Sequence, residues 1–308
     1  MLILGEKYTF NNFELKKLDK KFSIINTILY ENEKPNNVIL QIEENLNNKI
    51  KLIVLNSKIR LDDKITKYLQ KLELTHKYIT IITIELFLEK YLYKCYIPED
   101  NSSSYYMKKI KGFSTFQKFQ KKIIDIIAMM FLFVILFFIK PFIKYRIKKE
   151  SFGSIYFKQF RIGLNNIEFE CIKFRSMHEH SSNNDATTTS IDDNRIFSFG
   201  EIMRKTRIDE LPQVFNIFKN ELSLVGPRAE WNRLTIDYEK EIPFYNKRHI
   251  VKPGITGWAQ VMFVEGRNKD DTKQKLMYDL YYIKNWNLWL ELKIIFKTIL
   301  VVLDKKGV

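Results

Sequence analysis

Asp209 and Glu210 are an adjacent carboxylate pair set among cations: Arg204 and Arg207 precede them and Pro212 follows. Pro212 suits the first turn of a helix through 213–219. The pair is therefore expected near a helix N-terminus, where positive partial charge keeps a carboxylate ionised. An ionised aspartate among cations can bind a divalent metal or attack phosphorus. Polar clusters surround it in order along the chain: GSIYFKQFRIG (153–163), KFRSM (173–177), MRKTRIDELPQVFN (203–216), SLVGPRAE (223–230), VKPGITGWAQV (251–261) and GRN (266–268). Four of them set Arg or Lys beside glycine or proline. Glycine lets backbone N–H groups approach a phosphate, and arginine forks two oxygens at once. On spacing alone, a phosphate-handling site and an ordinary ion-pair cluster at a helix entry are both open. His178 and His180 form an HxH beside the polar run 181–194. Two histidines without further ligands make a weak metal site, and a surface loop over the site is the expectation there.

The elements that hold such a site come next. Residues 123–139 (IIDIIAMMFLFVILFFI) contain one charge, Asp125. As a helix these 17 residues span about 25 Å, against a hydrocarbon core of roughly 30 Å. Pro141 follows, disfavouring helical geometry at Lys140. Lysines and arginines crowd both flanks, and positive flanks prefer the cytoplasm. A re-entrant hairpin over 118–150, broken at Lys140–Pro141, keeps both flanks on one side and Asp125 near the headgroups. A full span and a buried core helix are the alternatives. Farther on, Leu288, Leu292, Ile295, Ile299 and Leu303 fall on one helical stripe within 281–303, with Trp286 and Trp289 near its start. Charges at Lys284, Glu291, Lys293 and Lys297 exclude a span, leaving an interfacial amphipathic helix or a stripe packed on the core.

Residues 1–97 read as βαβαβαβα. Strands are expected at 1–4, 22–29, 51–56 and 78–82, with helices at 11–21, 37–49, 60–72 and 84–94. That order predicts an α/β module: a small parallel sheet, Rossmann-like, covered by helices. Its first turn offers Gly5 and no Gly-rich loop, so no phosphate cradle is written, and a docking or regulatory role is expected. Residues 98–117 read as a linker. The charge is uneven: residues 1–100 hold 16 Lys/Arg against 14 Asp/Glu, and residues 101–308 hold 35 against 22. The basic half suits anionic lipid, a phosphorylated substrate or nucleic acid. No nucleic-acid motif accompanies it, so nucleic acid is not expected. Cys95 and Cys171 read as buried thiols of a reducing compartment. The N-terminus has no basic region ahead of a long apolar run, so no signal peptide is expected.

Taken in order, the basic–apolar–Pro segment, KFRSM, IDELPQ, LVGPR, PGITGWAQ and YDLYYIKNW resemble the bacterial sugar transferase family, the polyprenyl-phosphate monotopic phosphoglycosyl transferases. The similarity covers about 190 residues, 116–308. It implies an α+β catalytic domain over 151–308 on a monotopic, re-entrant anchor at the cytoplasmic face of the bacterial inner membrane. The implied reaction moves a sugar 1-phosphate from a UDP-sugar to undecaprenyl phosphate with release of UMP, in two steps with Mg²⁺, starting a surface glycan. By the resemblance, Asp209 is the nucleophile and meets the metal, with Glu210 as its dyad partner. Lys173, Arg204, Arg228 and Arg267 match cations around phosphates and nucleotide, and Arg175 shares the KFRSM motif with Lys173. Pro141 matches the helix-breaking proline and Asp125 the acid near the helix start. The chain departs from the usual pattern in three places: Lys140 where many members have serine, Ala229 in place of the second proline of GPRP, and a longer stretch between Gln260 and Gly266. A homodimer is a further expectation, and a catalytically silent membrane scaffold is the alternative reading.

Overall fold

A computed structural model describes residues 1–22, 25–30, 33–46, 50–57, 61–98, 104–178, 194–263 and 269–303. They form two compact units, Met1–Tyr96 and Ile97–Val308.

In the first unit β1 (Leu2–Gly5), α1 (Asn12–Leu18), β2 (Asn26–Ile28), α2 (Pro35–Leu46), β3 (Leu52–Asn56), α3 (Asp63–Thr75) and β4 (Thr80–Thr83) alternate as expected. The short helix α4 (Ile84–Phe87) continues as a π-turn, Leu88–Leu92. All strands are parallel, in the order β2-β1-β3-β4. Central β1 is buried along its whole length, as a parallel strand covered on both faces must be. Val38 and Ile42 of α2 and Ile65, Leu69 and Leu72 of α3 share one core with Leu2, Leu4 and Ile53. Gly5 has φ +120, and a side chain there would meet the Asn56 carbonyl oxygen at 2.1 Å. That glycine serves strand contact. Glu14 closes a capping box with Asn11 at the start of α1 and also pairs with Lys94, both side chains fully buried.

The second unit starts with α5 (Ser104–Lys108) and the 36-residue α6 (Thr115–Glu150). Of the stretch read as a linker, residues 99–103 lie outside the described residues, while Met107, Ile110 and Phe113 are buried. The hairpin β5 (Tyr156–Ile162) and β6 (Glu168–Phe174) is antiparallel, and left-handed Asn165 and Asn166 make its turn. Then come α7 (Ser198–Lys205), a 3₁₀ turn (Ile208–Gln213), α8 (Val214–Phe218), β7 (Ser223–Val225), α9 (Asn232–Glu241), a second 3₁₀ turn (Tyr245–Ile250), β8 (Gly254–Thr256) and α10 (Trp258–Met262). Helices α11 (Lys269–Lys284) and α12 (Leu288–Leu303) close the unit. β7 and β8 pair in parallel.

The expected break at Pro141 is not a break in helical structure: α6 runs through it. Proline removes one helical N–H and crowds the carbonyl four residues back, at a cost of roughly 3 kcal/mol. Packing on both sides of it holds the helix together. Leu136 before Pro141 and Ile143 and Ile147 after it share a core with Phe174, Phe197, Phe199, Met203 and Val214. Apart from Lys121, Asp125 and the residues packed on that core, the helix is bare, and its most apolar 18-residue window is only 11% buried. A buried core helix is therefore excluded. The stripe on α12 also faces outward, with Leu288, Leu292, Ile299 and Leu303 exposed and Trp289 79% exposed. Leu290, Glu291 and Ile294 make its inward face.

Candidate active site

Asp209 and Glu210 lie inside the 3₁₀ turn Ile208–Gln213, one turn ahead of α8 and not at its N-terminus. Arg207 opens that turn with left-handed backbone, φ 56. The turn is held against β6 by Asn216, a fully buried residue of α8. Its amide donates to the Glu170 carbonyl at 2.8 Å and accepts the Ile172 N–H at 3.1 Å. Lys173, the next residue along β6 after Ile172, thereby meets the turn.

The two carboxylates are buried, and they have different company. Glu210 Oε1 takes the Lys173 ammonium at 2.6 Å and both Arg228 terminal nitrogens at 3.4 Å, and Arg207 stands 3.9 Å from Oε2. Burial alone would raise the Glu210 carboxyl; Lys173, Arg228 and Arg207 together hold it well below the usual carboxylate range. Asp209 makes no hydrogen bond or ion pair among the described residues. Burial and the Glu210 charge push its carboxyl up to about 6, against the pull of Lys173, Arg204 and Arg228. The expectation that the pair sits at a helix N-terminus is corrected here: it lies in the turn ahead of α8, and the nearby cations bond Glu210. The guanidinium nitrogens of Arg204, on the last turn of α7, have no partner among the described residues either, although its charge acts on Asp209.

Arg228 belongs to the segment after β7. Gly226 and Gly254 carry β7 and β8 into backbone contact, since a side chain on Gly254 would meet the Gly226 nitrogen at 2.1 Å. Their N–H groups bond the Thr256 and Pro227 carbonyls at 2.8 and 2.9 Å. These glycines bring strands together and do not cradle phosphate. Arg175 does not join the pair either. It is buried and donates to the Ser151 and Phe152 carbonyls just beyond the end of α6. Lys140 lies over the Tyr156 ring at 5.7 Å. Arg267, His180 and almost all of the 181–194 run lie outside the described residues.

Buried polar contacts that sequence reasoning missed tie these elements together. Lys121 of α6 donates to the Val225 carbonyl at 2.8 Å, to Tyr282 Oη at 2.9 Å and to Glu291 Oε1 at 2.6 Å. Asp125, expected at headgroup level, accepts the Leu224 N–H at 2.7 Å. A single charge inside an apolar run, such as Glu291 or Asp279, is the signal that marks such groups. Among the described residues no three His, Cys, Asp or Glu gather as a metal site. Asp209 offers two oxygens that accept no hydrogen bond among the described residues, and Glu210 Oε2 has only the long Arg207 contact at 3.9 Å.

A family profile described as bacterial sugar transferase matches residues 116–305. The chain belongs to that family. It is 47% identical over 161 residues (52% of this chain, 38% of the relative) to a UDP-N-acetylgalactosamine-undecaprenyl-phosphate N-acetylgalactosaminephosphotransferase of Aeromonas hydrophila. It is 40% identical over 190 residues (61% and 38%) to a UDP-glucose:undecaprenyl-phosphate glucose-1-phosphate transferase of Xanthomonas campestris pv. campestris. An uncharacterized sugar transferase of Bacillus subtilis (strain 168) is 38% identical over 197 residues, 61% of this chain and 89% of its own length. The chain thus spans little more than a third of the first two relatives. Asp209, Glu210, Lys173 and Arg228 all lie within the matched family region.

Proposed function

We propose that this protein transfers a sugar 1-phosphate from a UDP-sugar to undecaprenyl phosphate, releasing UMP, through a phosphosugar intermediate on Asp209. The observation that carries this reading is the buried Asp209 carboxylate, unbonded beside a glutamate that has taken the cations. A structural carboxylate at that depth would be expected to have partners. An Asp209 oxygen attacks the sugar-bearing phosphorus, forming an O–P bond while the bridging P–O bond breaks and its electron pair leaves on UMP. An oxygen of the polyprenyl phosphate then attacks the same phosphorus, and the bond to Asp209 breaks. The carboxylate returns and a polyprenyl diphosphosugar departs. Lys173 and Arg228, anchored on Glu210, and Arg204 stabilise charge spread over the phosphoryl oxygens.

Mg²⁺ fits this residue set, because it is commonly held by one or two carboxylates together with substrate phosphates. Asp209 would be its protein ligand. When bound, the ion supplies charge neutralisation between carboxylate and diphosphate. The bare apolar faces of α6 and α12 support a monotopic placement at the cytoplasmic face, with α6 seated in one leaflet. There the acceptor's isoprenoid stays in lipid while its phosphate reaches the site. The product begins a surface glycan.

UMP release from a panel of UDP-sugars, with undecaprenyl phosphate and Mg²⁺, tests the reading against Asp209→Asn. Release with one donor, falling on the order of 10³-fold or more in the variant, is expected. Equal release by the variant removes Asp209 as nucleophile. Silence of the wild type with every donor favours the scaffold reading.

A further inference from the structure

The segment 227–230 carries Arg228 and has an unusual backbone environment. Each of its four consecutive carbonyls accepts a hydrogen bond from a different group. Gly254 N–H bonds Pro227 at 2.9 Å, and Ile162 N–H bonds Glu230 at 3.1 Å. Arg161 Nη1 donates to Ala229, and Arg248 Nη2 to Arg228 at 2.9 Å. The Arg248 contact stands apart because it is made by a buried charge. Arg248 is 3% exposed, ion-paired to the buried Asp279 of α11 at 2.8 Å, and donates to Tyr245 Oη at 2.6 Å. Glu230 lies 3.8 Å from it on the other side. Burying such a pair is costly, and surrounding hydrogen bonds rarely recover more than the cost. Stability alone is a poor account of it.

We propose that Arg248, held by Asp279 and Tyr245, is a positioning residue that fixes the Arg228 backbone so that its guanidinium meets Glu210 and the substrate diphosphate. The inference rests on the phosphoglycosyl transfer reading above. Arg248 itself touches no reacting atom in this arrangement. Its effect passes through one carbonyl, and Arg228, whose side chain is 35% exposed, presents the charge. Planarity matters, because only a guanidinium reaches carbonyl, phenol and carboxylate from one fixed fork. Lysine at 248 keeps the charge and loses the fork.

The test compares Arg248→Gln, Arg248→Lys and Arg228→Met singly and Arg248→Gln in the Arg228→Met background, on the full chain in lipid nanodiscs. UMP release and UDP affinity are both read. A misplacement of about 1 Å can cost roughly 10²-fold, so Arg248→Gln is expected to lower kcat/KM by about that factor. Arg248→Lys is expected to recover little of it. In the Arg228→Met background the same change should cost less than about threefold, because the group it positions is gone. Full multiplicative losses in the double variant, or full rescue by lysine, overturn the proposal. Should Arg248→Gln fail to fold, Arg248→Gln/Asp279→Asn removes both buried charges and carries the same comparison. A wild type that neither binds UDP nor releases UMP from any donor overturns the transfer reading itself. Wild-type turnover with no coupling between positions 228 and 248 overturns this inference alone.

Discussion

Two buried charge clusters in the second unit are built from similar groups and completed differently. Around Lys121, every strong polar atom has found a partner: the ammonium takes three acceptors, and Glu291 takes the ammonium, Tyr282 and the Trp286 indole N–H. Around Asp209, Glu210 is over-supplied with cations while Asp209 and Arg204 have none of their own. The first cluster is closed and joins α6, β7, α11 and α12. The second is open among the described residues, and on the transfer reading proposed above a substrate phosphate and a divalent cation complete it. What separates a structural ion cluster from a catalytic one here is which groups are left over, not how many charges are buried.

Breaking the closed cluster should have the largest effect. Lys121→Met leaves Glu291 buried without its ammonium, and removing one member of a buried pair costs about 3–5 kcal/mol. A fall of that size in the unfolding free energy, measured with denaturant in detergent, is expected. UMP release should disappear only where the fold does. A stable Lys121→Met protein would show that the cluster is not closed in the sense argued.

The open cluster should behave in the opposite sense. A carboxyl raised to about 6 in the folded chain, above its ordinary value near 4, is protonated in the folded state while the unfolded state has already ionised. Stability is therefore lost as pH rises from about 4 to 6, and the loss above pH 6 is on the order of 3 kcal/mol. Asp209→Asn removes it. With EDTA present, this variant should be more stable than wild type at pH 7.5, and the difference should vanish near pH 4. Wild-type turnover should fall as pH drops through 6. A destabilised variant at pH 7.5 would mean that Asp209 is held by partners after all.

Arg204→Gln sharpens the comparison at the cation that is left over. It should raise KM for the UDP-sugar about tenfold, equivalent to 1.4 kcal/mol, with little change in unfolding. Smallest is Arg207→Gln: its pair with Glu210 is long and its side chain 25% exposed, so less than about 1 kcal/mol of stability is expected to move. A large loss from Arg207→Gln would shift the anchoring of Glu210 away from Lys173.

The parallel sheet was legible because its signals are local: β-branched runs such as KLIVLN and helical spacing such as Val38, Ile39, Ile42 and Leu46. The placement of Asp209 and Glu210 beside Arg204 and Arg207 was legible for the same reason. Their unequal states were not, because Lys173 and Arg228 reach Glu210 across 37 and 18 residues of chain. Nor was Arg175 legible as a tie to Ser151 and Phe152, since KFRSM gives Lys173 and Arg175 the same company, while Lys173 lies in β6 and Arg175 just past its end. Lys121 looked like one of many basic flanking residues; its partner Glu291 is 170 positions away.

The run of α6 through Pro141 has a practical corollary for anyone seeking a water-soluble fragment. Leu136, Ile143 and Ile147 are core residues of the same cluster as Phe174 and Val214. Glu150 at the helix end bonds the Phe199 N–H at 2.7 Å, fastening the entry to α7. The inner face of α6 and the elements behind it share one core. Trimming the chain to start at 151 would therefore remove part of the enzyme's interior, and solubility would have to come from recolouring the bare outer face of α6 with polar residues while leaving its inner face intact.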